Sequence, residues 1–199
     1  MRPIPRWALV SAGCAPAALI AGWLAAGLLQ GPGYDPARQT ISSLEADGTP
    51  NRWLLVAALA ALGCCHLVTA LGLRPAAVAG RLALAGGGIA SIMVALFPEP
   101  AHGGSLRHGV ITGAGFTLLC VWPCLAVRRS PAAPWALRPA PAVLVSLLML
   151  AGAAWFLLAI NTHGPAGIAE RLVTTTQSLW PLLVVLSCVR VGARRLSER

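Results

Sequence analysis

Charge is scarce in this 199-residue chain: Asp, Glu, Lys and Arg together make up 11% of it, about half of what a soluble domain of this size carries. Lysine is absent, and all 15 basic residues are arginine against six acids. The chain also lacks a phosphate-cradling glycine loop, a Gly-x-Ser-x-Gly elbow and a His-Glu-x-x-His pair. These absences remove the motif-based routes to a nucleotide hydrolase, an α/β-hydrolase and a zinc protease. Six cysteines are present without a Cys-x-x-Cys pair, so spacing supports neither a metal nor any other cofactor. The net charge of +9 sits in short segments beside apolar runs, leaving no free basic face for nucleic acid.

What fills the chain instead is apolar: 57% of residues are hydrophobic. The runs Trp7–Leu29, Trp53–Leu73, Val78–Phe97, Val110–Val127, Pro141–Ile160 and Leu172–Val189 each approach the roughly 20 residues that a membrane-spanning helix needs. The reading is an all-α polytopic protein, one domain over residues 1–199, with six transmembrane helices in an antiparallel bundle. Arg2 and Arg6 ahead of the first run suggest a signal peptide, but at about 23 residues the run is too long for a signal core. An uncleaved first helix fits better.

The gaps between runs alternate in charge. Arg2, Arg6, Arg74, Arg81, Arg128, Arg129, Arg138, Arg190, Arg194, Arg195 and Arg199 fall on one side, with Glu198 as the accompanying acid. Arg38, Arg52, Arg107 and Arg171 fall on the other, together with Asp35, Glu45, Asp47, Glu99 and Glu170. Cationic loops stay in the cytoplasm, so the expectation is a cell-membrane protein with both termini cytoplasmic. Trp7, Trp53 and Trp135 lie where interfacial anchors belong. Gly86-Gly87-Gly88 and the Gly27…Gly31 spacing permit close helix contact, and a homodimer through such faces is compatible with the sequence.

The segment Gly31–Arg52 is the longest connection. Asp35-Pro36 has the chemistry of an N-cap followed by a first helical residue. Ala37, Ile41 and Leu44 then share one face, so a short amphipathic helix is expected, ended by Asp47-Gly48-Thr49-Pro50. The stretch Tyr34-Asp35-Pro36-Ala37-Arg38-Gln39-Thr40-Ile41-Ser42 matches a Tyr-x-Pro-x-x-x-x-Ile-Ser pattern, and Phe97-Pro98 is followed by His108. Gly167–Arg171 supplies a weaker Gly-x-x-Glu-Arg match. In these features the chain resembles a bacterial six-helix membrane family, common in actinobacteria and designated domain of unknown function 998. The resemblance implies fold and topology, and no catalytic residue.

Three acidic-side loops of a compact bundle converge on one surface. Glu99, His108 and Glu170 are the candidate acid and base residues. Asp35, Arg38, Ser42, Ser43, Arg107 and Arg171 are the candidate binding residues around them. Charges as close to the membrane boundary as Arg107, His108, Glu170 and Arg171 pair or face a water-filled cavity. The plainer alternative is a helix cap at Asp35 and ion pairs between Glu170 and Arg107 or Arg171. Thr174-Thr175-Thr176-Gln177-Ser178 covers every face of a helix, so Thr175 and Gln177 are candidates for a polar cavity wall, or else for interhelical hydrogen bonds. His102, His108 and His163 with Asp35 or Glu99 are too irregularly spaced to indicate zinc. Cys14, Cys64, Cys65, Cys120, Cys124 and Cys188 read as small apolar residues, and His66 as a hydrogen-bonded core residue.

The reading is therefore an uncharacterised membrane protein whose partners are membrane lipids and an apolar or amphipathic small molecule, bound at the extracytoplasmic polar cluster. The first alternative is a membrane-embedded cyclase or hydrolase acting on a lipid or isoprenoid-like substrate. The second is a structural subunit without chemistry. A reporter fused after Arg199 is expected to be active only on the cytoplasmic side, and extracytoplasmic activity would reverse the topology.

Overall fold

Backbone amides and carbonyls have no water to turn to in hydrocarbon, so apolar runs of this length become helices. The computed structural model describes residues 4–100 and 104–197, and the side chains up to residue 193. It contains α1 (Arg6–Leu28), α2 (Trp53–Gly72), α3 (Val78–Leu96), α4 (Leu106–Leu125), α5 (Pro139–Asn161) and α6 (Ala166–Ser197). Among the described residues there is no strand. All six helices are long and apolar enough to cross a bilayer, which makes this a multi-pass membrane protein.

Two spans start a helical turn or more earlier than hydropathy suggests. Helix α4 begins at Leu106, because Ser105 caps it by accepting the His108 N–H at 3.2 Å. Helix α6 begins at Ala166, where loop contacts supply partners for its first turn. As a result Arg107, His108, Glu170 and Arg171 stand on helices rather than in loops.

The amphipathic helix expected over residues 35–45 is not there. Asp35 does cap the Ala37 N–H at 2.9 Å, and one turn follows, with the Gln39 N–H bonded to the Asp35 carbonyl at 2.8 Å. Helix α6 then takes the backbone groups that a continuing helix would use. Glu170 accepts the Ile41 N–H, and Arg171 donates to the carbonyls of Pro36 at 2.8 Å and Gln39 at 3.0 Å. In return the Ile168 N–H of α6 finds the Ala37 carbonyl at 3.2 Å. The loop resumes only as a single 3₁₀ turn, Ser42–Leu44. Gly167 makes this approach possible: a Cβ there would collide with the carbonyl oxygens of Pro36 and Gln39.

Helices α1 and α2 pass each other in opposite directions, and so do α3 and α4, as the residues in contact show. Gly72 meets Ala8 and Gly22 meets Ala58 between α1 and α2; Gly80 meets Ala126 and Gly87 meets Leu119 between α3 and α4. Small residues bring the backbones together, the usual device where lipid removes the hydrophobic drive for association. The largest cluster of buried side chains centres on Trp122, Leu84, Leu137 and Val184. The outside is apolar too: Leu144, Leu147, Leu148, Leu157 and Leu158 of α5 are 58–61% exposed, as a lipid-facing surface requires.

The bundle has two chemically different ends. At the arginine-rich end, Arg81 donates to the Ala70 carbonyl at 2.7 Å, Arg128 to Pro75 at 2.8 Å and Arg138 to Ala133 at 3.1 Å. These guanidiniums satisfy carbonyls left free at helix ends and turns. The acidic end carries the Gly31–Arg52 loop, the connection after α3 and the α5–α6 turn.

Helices α2 and α3 cross in backbone contact, where a Cβ on Gly63 would collide with the Gly88 carbonyl oxygen and lie 2.6 Å from Ile92 Cγ1. Gly63→Ala is expected to destabilise the protein by about 1–3 kcal/mol, read as a lower unfolding midpoint in detergent. Gly13→Ala, which enters open space, should leave the midpoint unchanged or slightly higher.

Candidate functional site

The 3₁₀ turn at Ser42–Leu44 sets the geometry of the acidic end. In such a turn side chains at i and i+3 eclipse, so Ser42 and Glu45 point the same way, into the bundle. Ile41, Leu44 and Glu45 are buried, with Glu45 at 0% exposure. Facing them are His108 from the first turn of α4 and Glu170 from the first turns of α6, 7% and 3% exposed. Ser42 joins the two: its Oγ lies 3.3 Å from Glu170 Oε1 and 3.4 Å from His108 Nε2. His108 Nδ1 lies 3.1 Å from the Phe97 carbonyl oxygen and 3.6 Å from Glu45 Oε1. A carbonyl can only accept, so Nδ1 carries a hydrogen and, in the neutral ring, Nε2 turns its lone pair to Ser42.

Glu45 is the most constrained group of the set. Among the described residues neither carboxyl oxygen has a hydrogen-bond partner, and its acidity is shifted accordingly. Burial, reinforced by Glu170 and Glu99 and opposed by Arg52, pushes Glu45 from 4.5 up to about 8. Glu99 sits at the rim, half-buried, with its carbonyl accepting the Asp47 N–H at 2.9 Å. Burial also raises Tyr34, against the pull of Arg171, to which its hydroxyl is hydrogen-bonded.

Two cavities open from this cluster. One, of about 80 Å³, runs inward between α1, α2, α3, α4 and α6. Its walls include Ser42, Glu170, Thr174, Gln177, Ser91 and His66. The second, of about 580 Å³, is a lateral groove between α4 and α5. Glu99, Ser105, His108 and Ser42 form its polar end, and Cys120, Leu150, Ala153 and Leu157 its apolar end. Ser42, Thr112 and Phe116 line both.

The chain belongs to the DUF998 family. That family, of proteins of unknown function, matches residues 13–187, which span α1 to α6 and all the groups just described. No curated protein and no solved structure matches the chain.

The candidate residues of this DUF998 member separate into three groups. Ser42, Glu99, His108 and Glu170 come together at the cavities. Arg171 and Ser43 shape the loop: Arg171 holds its backbone and lies over the Trp23 ring at 5.3 Å, and Ser43 Oγ donates to the Thr40 carbonyl at 2.7 Å. Asp35, Arg38 and Arg107 stand outside, the first two 3.9 Å apart and exposed, the third over the Phe97 ring at 4.9 Å. The expected ion pair of Glu170 with Arg107 or Arg171 does not form among the described residues, because both guanidiniums are engaged elsewhere. On α6 the cavity wall is Thr174, Gln177 and Ser178, and Thr175 lines neither cavity. Gln177 Nε2 donates to the Phe116 carbonyl at 3.3 Å.

His163 is exposed on the α5–α6 turn and distant in character from buried His108, while His102 lies outside the described residues. His66 is fully buried, yet among the described residues neither ring nitrogen has a partner, and the ring lines the inner cavity; the hydrogen bond expected of a core histidine is not found there. The sequence places Glu45 with Asp35, Arg38, Ser42 and Ser43 in the acidic-side cluster of the first loop and gives it no catalytic or binding role; the turn at Ser42–Leu44 is what buries it beside His108.

Glu45 makes stability depend on pH. Below about 4.5 both the folded and the unfolded chain hold its proton. Between there and about 8 the unfolded chain releases the proton while the folded chain keeps it, so stability falls as pH rises. The difference in unfolding midpoint between wild type and Glu45→Gln in detergent should therefore widen in favour of the variant from pH 5 to pH 8. A constant difference would contradict the assignment.

Proposed function

We propose that this protein binds an amphipathic, lipid-like molecule, with its polar end at Glu99, His108 and Ser42 and its apolar chain along the α4/α5 groove. The observation that carries this reading is the groove itself. Its volume of about 580 Å³ falls in the range of small-molecule sites, about 300–1,000 Å³. It is polar at one end, apolar along the rest, and lies beside the most lipid-exposed helix, so a ligand can enter sideways from the bilayer. The arginine asymmetry supports placing this end outside the cytoplasm and the protein in the cell membrane. A structural subunit without chemistry has less support, since it leaves the buried carboxyl of Glu45 and the groove without a use.

Gly113 lines the groove with open space where a Cβ would stand, so a larger side chain there occupies the ligand volume without displacing the bundle. A photoactivatable fatty-acyl phospholipid, irradiated with purified protein and mapped by mass spectrometry, should label groove residues of α4 and α5. Gly113→Leu should reduce that labelling about tenfold while the elution profile in detergent is unchanged. Equal labelling of all exposed helix faces, insensitive to Gly113→Leu, would sink the reading.

A further inference from the structure

The polar end of the groove holds more than a headgroup needs. A hydroxyl, an imidazole and a carboxyl follow one another from Ser42 through His108 to Glu45, at 3.4 and 3.6 Å. The Phe97 carbonyl fixes the tautomer that leaves Nε2 free to accept from Ser42. Separations of this size are looser than those of a working nucleophile–base pair, about 2.6–3.2 Å, and are usual when no substrate is bound. Ser42 and Glu45 come from one turn and His108 from α4; Ser42 and His108 line the groove, and Glu45 is buried behind them.

We propose that Ser42 and His108 are the nucleophile and general base of a membrane-embedded hydrolase that cleaves an acyl ester of the amphipathic molecule in the α4/α5 groove, with Glu45 as the positioning carboxyl. The inference rests on the groove being a lipid site. Ser42 is one of the polar groups at the headgroup end of the groove, and the ester of an acyl lipid lies next to its headgroup.

The step balances as follows. Ser42 Oγ bonds to the acyl carbon as its proton passes to His108 Nε2. The ester C–O bond then breaks, and His108 returns the proton to the leaving alcohol oxygen. Water, giving a proton to the same nitrogen, attacks the acyl-Ser42 ester. The acid departs, and Ser42 Oγ recovers its hydrogen. The single hydrogen of Ser42 Oγ faces Glu170 Oε1 at 3.3 Å before substrate binds and turns to His108 Nε2, 3.4 Å away, for the first transfer. The imidazolium that forms meets Glu45 at 3.6 Å, an interaction that strengthens when Glu45 is ionised.

The test is covalent labelling of the full chain in detergent with an alkyl fluorophosphonate, which transfers phosphorus to an activated serine oxygen and releases fluoride. The expected result is one adduct, located by mass spectrometry on Ser42. Ser42→Ala should abolish it, and His108→Gln should slow it about a hundredfold or more. Glu45→Gln should match the wild type near pH 6 and fall about tenfold behind it above pH 8. Glu45 is faced by His108 of α4, Glu170 of α6, Glu99 after α3 and Arg52 before α2, and a purely structural role for it would not produce that split.

Fatty-acid release from phosphatidylcholine vesicles and from phosphate-free diacylglycerol then shows whether the leaving alcohol carries a phosphate. No adduct on wild-type Ser42, or an adduct formed equally fast in His108→Gln, would overturn the proposal. Lipid photolabelling of α4 and α5 that persists beside an unreactive Ser42 would leave the groove standing and remove the hydrolase.

Discussion

The hold of α6 on the first loop is the constraint on which the acidic end depends. At the edge of a bilayer, backbone groups outside a helix have few partners, and each one buried without a bond is costly. Glu170 and Arg171 satisfy a donor and two acceptors of the loop, while the loop returns the Ala37 carbonyl to the start of α6. One adjacent acid–base pair thus pins a segment about 130 residues away in sequence. The pinning breaks the helix that the loop would otherwise form, and it turns Ser42 and Glu45 inward.

The same economy operates at the opposite end. Arg81, Arg128 and Arg138 bond to carbonyls at helix ends and turns, so residues that carry the topology signal also close the backbone there. Arginine suits this better than lysine, since its planar fork donates in fixed directions to more than one acceptor. The absence of lysine from the chain is consistent with such use. Charge in this protein is scarce, and Asp35, Arg81, Arg128, Arg138, Glu170 and Arg171 all direct theirs to backbone groups.

Packing decides where a ligand has room. Glycines bring α2, α3 and α4 into backbone contact, which leaves only the narrow inner cavity among them. Between α4 and α5 the glycines at 109 and 113 face no neighbour among the described residues, and the space becomes a groove open to lipid. Gly residues thus have opposite effects on the two sides of α4: contact where a partner backbone approaches, and volume where none does. Ser42 and Thr112 stand at the junction of the groove with the inner cavity, which places the polar cluster beside both.

Fold class, the number of crossings and the approximate span limits were legible in the sequence, because hydropathy over about 20 residues reports the bilayer thickness directly. The convergence of Ser42, Glu99, His108 and Glu170 was legible too, from the alternation of loops between two sides. What the sequence by itself could not decide was the direction in which those groups point. Local propensity favours a helix over residues 35–45, which sends Glu45 to solvent and pairs Glu170 with an arginine. Hydrogen bonds from α6, made across the fold, override that propensity and bury Glu45 beside His108. The helix periodicity of 174–178 likewise named a polar wall, but which of its members met a cavity depended on the rotation of α6 against its neighbours. Patterns along the chain are fixed by residue chemistry; facing directions are fixed by the partners that packing supplies.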